Sequence, residues 1–476
     1  METLQRTANR GSISTGYDID NSCKFEADNS EGMWFAPSST TNDTTWTFSC
    51  WFKQTELASV VNSIFGHYTD ANNQALYRID SDNKLELRLV NGGTIRELHT
   101  DMLFRDNSAW YHLVIAVDTT DGTTANRVKV YVNGSQVDLT GTYPTSSLAT
   151  YGINTNAKNM DIGIFNSGSG TAYSFNGYLA EIHHIDGSQL APTEFGETDS
   201  DTGIWKPIEY TGTYGTNGFY LDFEDSSSLG ADDSGNSNNF TLNNITSVDQ
   251  ATDTPTNNFC IQSSIISFTA REPATTFAIN GGTSSSDSSS NSWRGVMCTI
   301  GVTAGKWYWE VKYNDVDDQR AGVHTFTGAV GSNTNPQNID NSWGLYGGDG
   351  SGCYWTKQID GTSTSNSANR GNVISGGDII GVALDLENDE LSFYINGSSG
   401  GTHVSNIDIS TLTAAGNPLI PFIAMYRGSM PTNFGGRSGF TISSGNADAN
   451  GYGNFEYAPP SGYYALCSKN LAEFGG

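Results

Sequence analysis

Short runs built on alternating apolar and polar residues recur along this chain, separated by stretches of Gly, Asn, Asp, Ser and Thr. A period of two places one face of a segment in a core and the other in solvent, so such runs read as half-buried β-strands. The first strong one covers residues 44–54 around Trp46, Phe48 and Trp51, after a turn-forming stretch at 38–43. Further strands are expected at 63–68, 75–79, 84–90, 110–117, 127–132, 160–165 and 177–185. Residues 190–195 read as a short helical turn. Strands spaced this regularly, with turn residues between them, predict a β-sandwich.

From 198 to 300 the pattern loosens. Residues 218–223 read as a strand, 232–239 as a turn-rich loop, and 280–291 as a surface loop too polar to bury. Strong strands resume at 306–313 and continue to a closing segment near 463–466. The expected division is an N-terminal segment 1–45, a first sandwich 46–197, a β-rich connecting segment 198–300 and a second sandwich 301–476.

One pattern occurs twice. Tyr111 to Asp118 is an apolar strand ending in Asp, followed by Val128-Lys129-Val130-Tyr131-Val132-Asn133-Gly134-Ser135. Asp378 to Asp385 leads in the same way into Leu391-Ser392-Phe393-Tyr394-Ile395-Asn396-Gly397-Ser398. Asn-Gly accepts positive φ at both central positions of a two-residue hairpin turn, so each copy predicts a strand followed by a tight hairpin. Two copies imply two sandwiches of one general kind, a plan that favours binding over catalysis.

Composition narrows the partners. The 476 residues carry 51 acidic and 23 basic side chains, a formal charge of −28. A field of that sign repels nucleic acid and anionic lipid, so neither is expected as a partner. The acids are scattered, which suits solubility. The six cysteines lie far apart with no Cys-x-x-Cys pair, which excludes a local zinc knuckle and fits buried thiols in a reducing cytoplasm. Met1 opens onto a polar segment, so no signal peptide is expected, and no apolar run approaches membrane-spanning length.

The first half resembles a laminin-G-like or pentraxin-like domain of the concanavalin A-like class. The resemblance is carried by residues 46–53, by Trp110-Tyr111-His112-Leu113-Val114, by the Tyr131-Val132-Asn133-Gly134 hairpin and by Phe175-Asn176-Gly177-Tyr178-Leu179-Ala180-Glu181-Ile182. The second half resembles a SPRY domain through Gly305-Lys306-Trp307-Tyr308-Trp309-Glu310-Val311, residues 377–385 and residues 391–397. Both resemblances imply an all-β chain of two concanavalin A-like jelly-roll sandwiches in tandem, joined by an irregular β-rich segment. The stretches 16–23, 210–223 and 459–467 are similar to structural proteins of tailed bacteriophages. That resemblance implies a virion surface protein, made in the host cytoplasm and assembled with other virion proteins as a homo-oligomer, a trimer being one form.

Candidate sites follow. No catalytic residue is expected: Asp222 and Glu224 share a strand face, but the leading Glu of a Glu-x-Asp-x-x-Glu run is absent and the stretch ends in a Ser-rich turn, and Gly397-Ser398-Ser399-Gly400-Gly401 follows a hairpin, where a nucleophile elbow needs a strand-to-helix turn. His183 and His184 are adjacent in a strand, so their rings face opposite sides, and the other histidines, His99 among them, read as isolated. The family resemblance implies Ca²⁺, for which Asp118 and Asp121 in one turn and Asp232 and Asp233 in another are the candidate ligands. For ligand binding the candidates are Trp343, Tyr346, Asp349, Tyr354 and Trp355, because aromatic faces stack on sugar rings and Asp bonds hydroxyls. Trp343 and Trp355 also suit a core, whereas Tyr346 and Asp349, set among glycines, are expected to be exposed. The functional expectation is a non-enzymatic tail-fibre or adsorption component binding host surface glycans. A capsid decoration protein that contacts other virion proteins is the alternative, and a glycan depolymerase a more distant one.

Overall fold

In the computed structural model, residues 16–475 are described except 58–60, 167–170, 268–276, 288–292, 315–318, 326–340, 348–351, 360–361 and 427. The chain forms two units, one ending at Thr256 and the next beginning at Asn257.

The first unit is a sandwich of two antiparallel sheets. One has the order Ser135–Gln136, Val128–Val132, Tyr111–Asp118, Thr45–Gln54, Gly177–Asp186, Ser22–Phe25 and Gln250–Ala251, with Phe219–Leu221 also paired to Gly177–Asp186. The other runs Leu139–Gly141, Thr94–Thr100, Leu85–Asn91, Asn73–Ile79, Asn62–Asp70, Met160–Ile162, Gly32–Phe35 and Thr241–Asn243. Alternation sends Trp46, Phe48, Cys50 and Phe52 from one sheet into a core shared with Phe65, Tyr77, Leu87 and Leu98 from the other. Phe48 stacks on Phe65 across the core with centroids 4.4 Å apart, the offset-stacked contact that aromatic quadrupoles favour.

The opposite face of the first sheet is also covered. Trp51, Trp110, Tyr178 and Ala180 pack against Ile19 and Ala251, with Trp205 and Tyr17 at the margin. Val114 and Ile185 pack with Phe195, joined by Tyr210 and Tyr214. Residues near both ends of the unit therefore lie over its first sheet. Beneath them Lys53 and Asp253, both buried, form an ion pair at 2.8 Å, and Trp110 Nε1 donates to the second Asp253 oxygen at 3.0 Å.

The second unit pairs a sheet ordered Gln262–Ser267, Arg294–Cys298, Leu419–Met425, Gln319–Thr325, Ser342–Gly347, Tyr354–Ile359 and Thr362–Ser365 with a second sheet. That sheet is ordered Phe277–Asn280, Ser284–Asp287, Gly428–Asn433, Lys306–Lys312, Ile379–Asp385, Glu390–Ile395 and Ser398–Ser399. Its core gathers Trp307, Trp309, Val382, Phe393, Trp343 and Ile423. Tyr464–Ala465 pairs in parallel with Lys306–Lys312.

The structure revises the expected organisation in three places. Residues 22–35 supply two strands of the first sandwich, where a polar N-terminal segment was expected. The expected connector divides, because 198–256 completes the first unit and 257–300 supplies strands of the second. Ser284–Asp287 pairs with Phe277–Asn280 and with Gly428–Asn433, so a Ser-rich stretch read as a loop is a strand. Ser22–Phe25, Gly32–Phe35 and Ser284–Asp287 are short, and each pairs with at least one strand distant in sequence, so pairing and not local pattern fixes them.

The repeated pattern is repeated in space. Asn133 and Gly134 have φ of 47° and 78°, and Asn396 and Gly397 have 48° and 74°, the two positive values of a type I′ turn. Asn133 Oδ1 accepts from the His112 amide at 2.8 Å, and Asn396 Oδ1 accepts from the Ile379 amide at 3.0 Å. In both units this Asn ties the turn to the start of the strand paired with the one it closes.

Candidate functional site

In the second unit Ser342–Gly347 pairs with Tyr354–Ile359 in a register that sets Tyr346 opposite Tyr354 and Leu345 opposite Trp355. Pleating sends Trp343 and Leu345 inward. Trp343 is a core residue, 3% exposed, and the half-buried Trp355 packs against it with ring centroids 4.7 Å apart. Lys357 Nζ lies 4.8 Å from the Trp343 ring centroid.

Tyr346 and Tyr354 lie on the other face, their rings 4.7 Å apart. Tyr346 was expected to be exposed but is 8% exposed. The reason is the strand beside it: Arg320 is the register partner of Tyr346, and its guanidinium lies 5.0 Å from the Tyr346 ring and 5.1 Å from Trp293. Arg320 Nη1 donates to Thr356 Oγ1 at 3.1 Å. At the far end Arg370 lies 4.6 Å from the Tyr354 ring and is held by the carbonyls of Gly352 and Ser367. In the row Trp293, Arg320, Tyr346, Tyr354, Arg370, the two tyrosine rings pack on each other and each guanidinium lies at cation–π distance from its neighbouring rings. Asp349 lies outside the described residues.

The four acids considered for Ca²⁺ serve their own turns. Asp118 Oδ1 accepts from Thr45 Oγ1 and from the amide and hydroxyl of Thr120, and the Thr120 hydroxyl bond chiefly lowers its pKa. Asp121 Oδ1 accepts from the Thr123 amide at 2.6 Å. Asp232 accepts from the amides of Tyr220, Ser234 and Asn238, organising its loop through both oxygens. Asp233 is exposed, its amide bonded to the Tyr220 carbonyl. Ca²⁺ takes six to eight oxygens; here the carboxylates of Asp118, Asp121 and Asp232 organise their own turns through these amides and hydroxyls. Asp222 and Glu224 likewise make a turn: the Glu224 amide donates to Asp222 Oδ1 at 2.9 Å, and burial raises the Asp222 pKa to about 6.

His183 and His184 do face opposite sides. His184 Nε2 donates to Asn154 Oδ1 at 2.9 Å, while burial lowers its pKa to about 4. His183 stacks on Tyr220 at 4.5 Å with Tyr214 Oη 3.0 Å from its Nδ1. Beside it Glu181, at φ 48° in a strand irregularity, accepts from the hydroxyls of Tyr17 and Tyr220, each at 2.8 Å. This network joins residues far apart in sequence and carried no local signal. Nor did another: among the described residues, one group of His, Cys or acidic side chains converges closely enough to hold a metal, namely Asp80, Glu86 and His99.

Two family profiles match the chain. Residues 28–189 match the Concanavalin A-like lectin/glucanases superfamily, and residues 306–437 match the SPRY domain. No curated protein matches the sequence. Similar solved structures include the native heptameric SAP-like pentraxin from Limulus polyphemus, at 19% identity and TM-score 0.29, covering 37% of this chain and 80% of that one. The SPRY domain of human HERC1 is 17% identical at TM-score 0.26, covering 33% of this chain and 92% of that one. Domain 4 of AbnA, a GH43 extracellular arabinanase from Geobacillus stearothermophilus solved with arabinotriose, is 18% identical at TM-score 0.27, covering 34% and 69%. Likenesses this low carry no weight for ligand or activity.

In the second unit the ring–cation row offers half-buried faces at Trp293, Tyr354 and Arg370. Such faces suit the C–H faces of sugar rings, with guanidinium donors for hydroxyl or carboxylate oxygens. In the laminin-G-like unit the outer face of the first sheet is occupied by the unit's own residues.

Proposed function

We propose that this chain is a non-enzymatic glycan-binding protein of a virion appendage, of tail-fibre or adsorption type, assembled with other virion proteins. The observation that carries the binding reading is the Tyr346–Tyr354 pair bracketed by Arg320 and Arg370. The half-buried ring of Tyr354 and the half-buried guanidinium of Arg370 beside it offer a stacking face and a donor. The lectin-type family match of the first half supports the same class of ligand. The virion setting is supported by the flanking stretches 16–23, 210–223 and 459–467. Weak single sites would gain avidity from many copies.

The test is binding of the purified chain to a glycan array and to candidate host cells. Tyr354→Ala removes a half-buried ring without opening the core, and a stacked aromatic is worth about 0.5–1.5 kcal/mol, so binding weaker by up to roughly tenfold is expected. Undiminished binding by that variant would move recognition away from the row. Release of reducing sugar from host polysaccharide would overturn the non-enzymatic reading.

A further inference from the structure

On the outer face of the second sheet of the laminin-G-like unit, three strands lie side by side in register: Arg78 opposite Glu86, and Glu86 opposite His99. Asp80 follows the strand Asn73–Ile79 and opens the turn to Leu85–Asn91. Its Oδ1 accepts the amides of Asp82 and Lys84 at 2.8 and 2.9 Å, which fixes the carboxylate with Oδ2 3.4 Å from His99 Nδ1. The other ring nitrogen, Nε2, lies 3.1 Å from Glu97 Oε1, and Glu97 is itself paired with Arg88. Glu86 is held by a bidentate contact to Arg78 at 2.9–3.1 Å.

We propose that Asp80, Glu86 and His99 bind one divalent transition-metal ion of the zinc type, with water completing the coordination. Three features of the geometry carry this. The candidate donor atoms all lie within 4.8 Å of one another. The 3.4 Å between Asp80 Oδ2 and His99 Nδ1 is the separation of two ligands on a tetrahedral ion, about 3.3–3.4 Å for bonds of about 2.0–2.1 Å. Glu97 stands where a metal-bound histidine finds its outer carboxylate: with Nε2–H donated to Glu97, Nδ1 presents its lone pair towards Asp80. A lone pair facing a carboxylate oxygen is repulsive until a cation lies between them. Glu86 keeps lone pairs for a metal while Arg78 orients it, since each carboxylate oxygen has two. A nitrogen donor among oxygens selects zinc-like ions over calcium. A bound ion would link the 80–84 turn to Thr94–Thr100 across three strands.

Metal-free, tag-free protein titrated with Zn²⁺ by calorimetry, and with Co²⁺ by visible absorption, tests this independently of any glycan. Expected are one equivalent bound and the visible bands of a four-coordinate cobalt site. His99→Ala should abolish that site, and Glu97→Gln should weaken it about 10–100-fold. Asp232→Asn should leave it unchanged. His99 is 30% exposed, so its replacement should not move the metal-free melting temperature. Absence of a one-equivalent site, or its persistence in His99→Ala, would overturn the proposal. So would nitrogen chemical shifts showing His99 as an imidazolium that Zn²⁺ does not displace.

Discussion

At the scale of single residues, the most consequential groups are polar ones in places chosen by packing. His112 is buried between Trp51 and Trp205. Trp205 Nε1 donates to its Nδ1 at 3.0 Å, leaving Nε2 to donate to Ser49 Oγ at 2.9 Å. Both partners suit a neutral ring, and burial lowers its pKa from 6.5 to about 3. Since the folded pKa lies below the unfolded one, the unfolded state takes up a proton first as pH falls. This contribution is present above pH 6.5 and is lost as pH falls from 6.5 towards 3. His184, lowered to about 4, adds in the same direction. A shift of this size corresponds to a few kcal/mol, about 5 at most for His112. His112→Gln is therefore expected to cost about 1–3 kcal/mol at pH 7 and to flatten the pH dependence. Melting temperatures between pH 7 and 4 would show it; an unchanged slope would exclude His112 as a source.

At the scale of elements, the two hairpins show how one local signal serves two tertiary settings. Asn-Gly specifies the turn in both units, but each glycine is also needed for what lies above it. A Cβ on Gly134 would fall 2.3 Å from the Trp205 ring, and one on Gly397 would fall 2.5 Å from Tyr457. Gly134→Ala and Gly397→Ala therefore combine a positive-φ penalty with a steric clash, and each is expected to destabilise its unit by about 2–3 kcal/mol. Asn133→Ala and Asn396→Ala, which remove the bonds to His112 and Ile379, should cost about 1–2 kcal/mol each. Denaturant unfolding of the four variants would check the ranking. An alanine tolerated at Gly134 would mean that Trp205 is free to move aside.

At the scale of the whole molecule, the first unit depends on segments remote from its central strands. Lys53 is buried on Thr45–Gln54, and its counter-charge Asp253 lies 200 residues later. Removing one partner of a buried pair costs about 3–5 kcal/mol, because the other charge is left without compensation. Asp253→Ala also deprives Trp110 Nε1 of its acceptor, so its loss should lie at the upper end of that range. A fragment spanning Ser14–Thr256 is expected to fold, while one limited to 46–197 should aggregate. The shorter piece lacks Ser22–Phe25, Gly32–Phe35 and Thr241–Asn243 and uncovers Trp51 and Trp110. Soluble, cooperatively melting 46–197 would contradict this reading.

The long central strands were legible in the chain because their signal lies within the segment itself: Thr45–Gln54, Tyr111–Asp118, Gly177–Asp186 and Ile379–Asp385 are runs of seven to ten residues, largely apolar and aromatic. The Asn-Gly turns were legible for the same reason, since positive φ is a property of the turn itself. Ser22–Phe25 was not, because it is four residues long, two of them the polar Ser22 and Lys24, and it is fixed by pairing with 177–179 and 250–251. The placement of Trp343 in the core and Tyr346 beneath Arg320 required the strand register. Convergence of Asp80, Glu86 and His99 required the order of three strands, which local residue preferences leave open. Sequence by itself determined two sandwiches and their turns, through constraints that act within a few residues. Tertiary structure alone decided which polar groups meet, because those distances are set by pairing across the sheets.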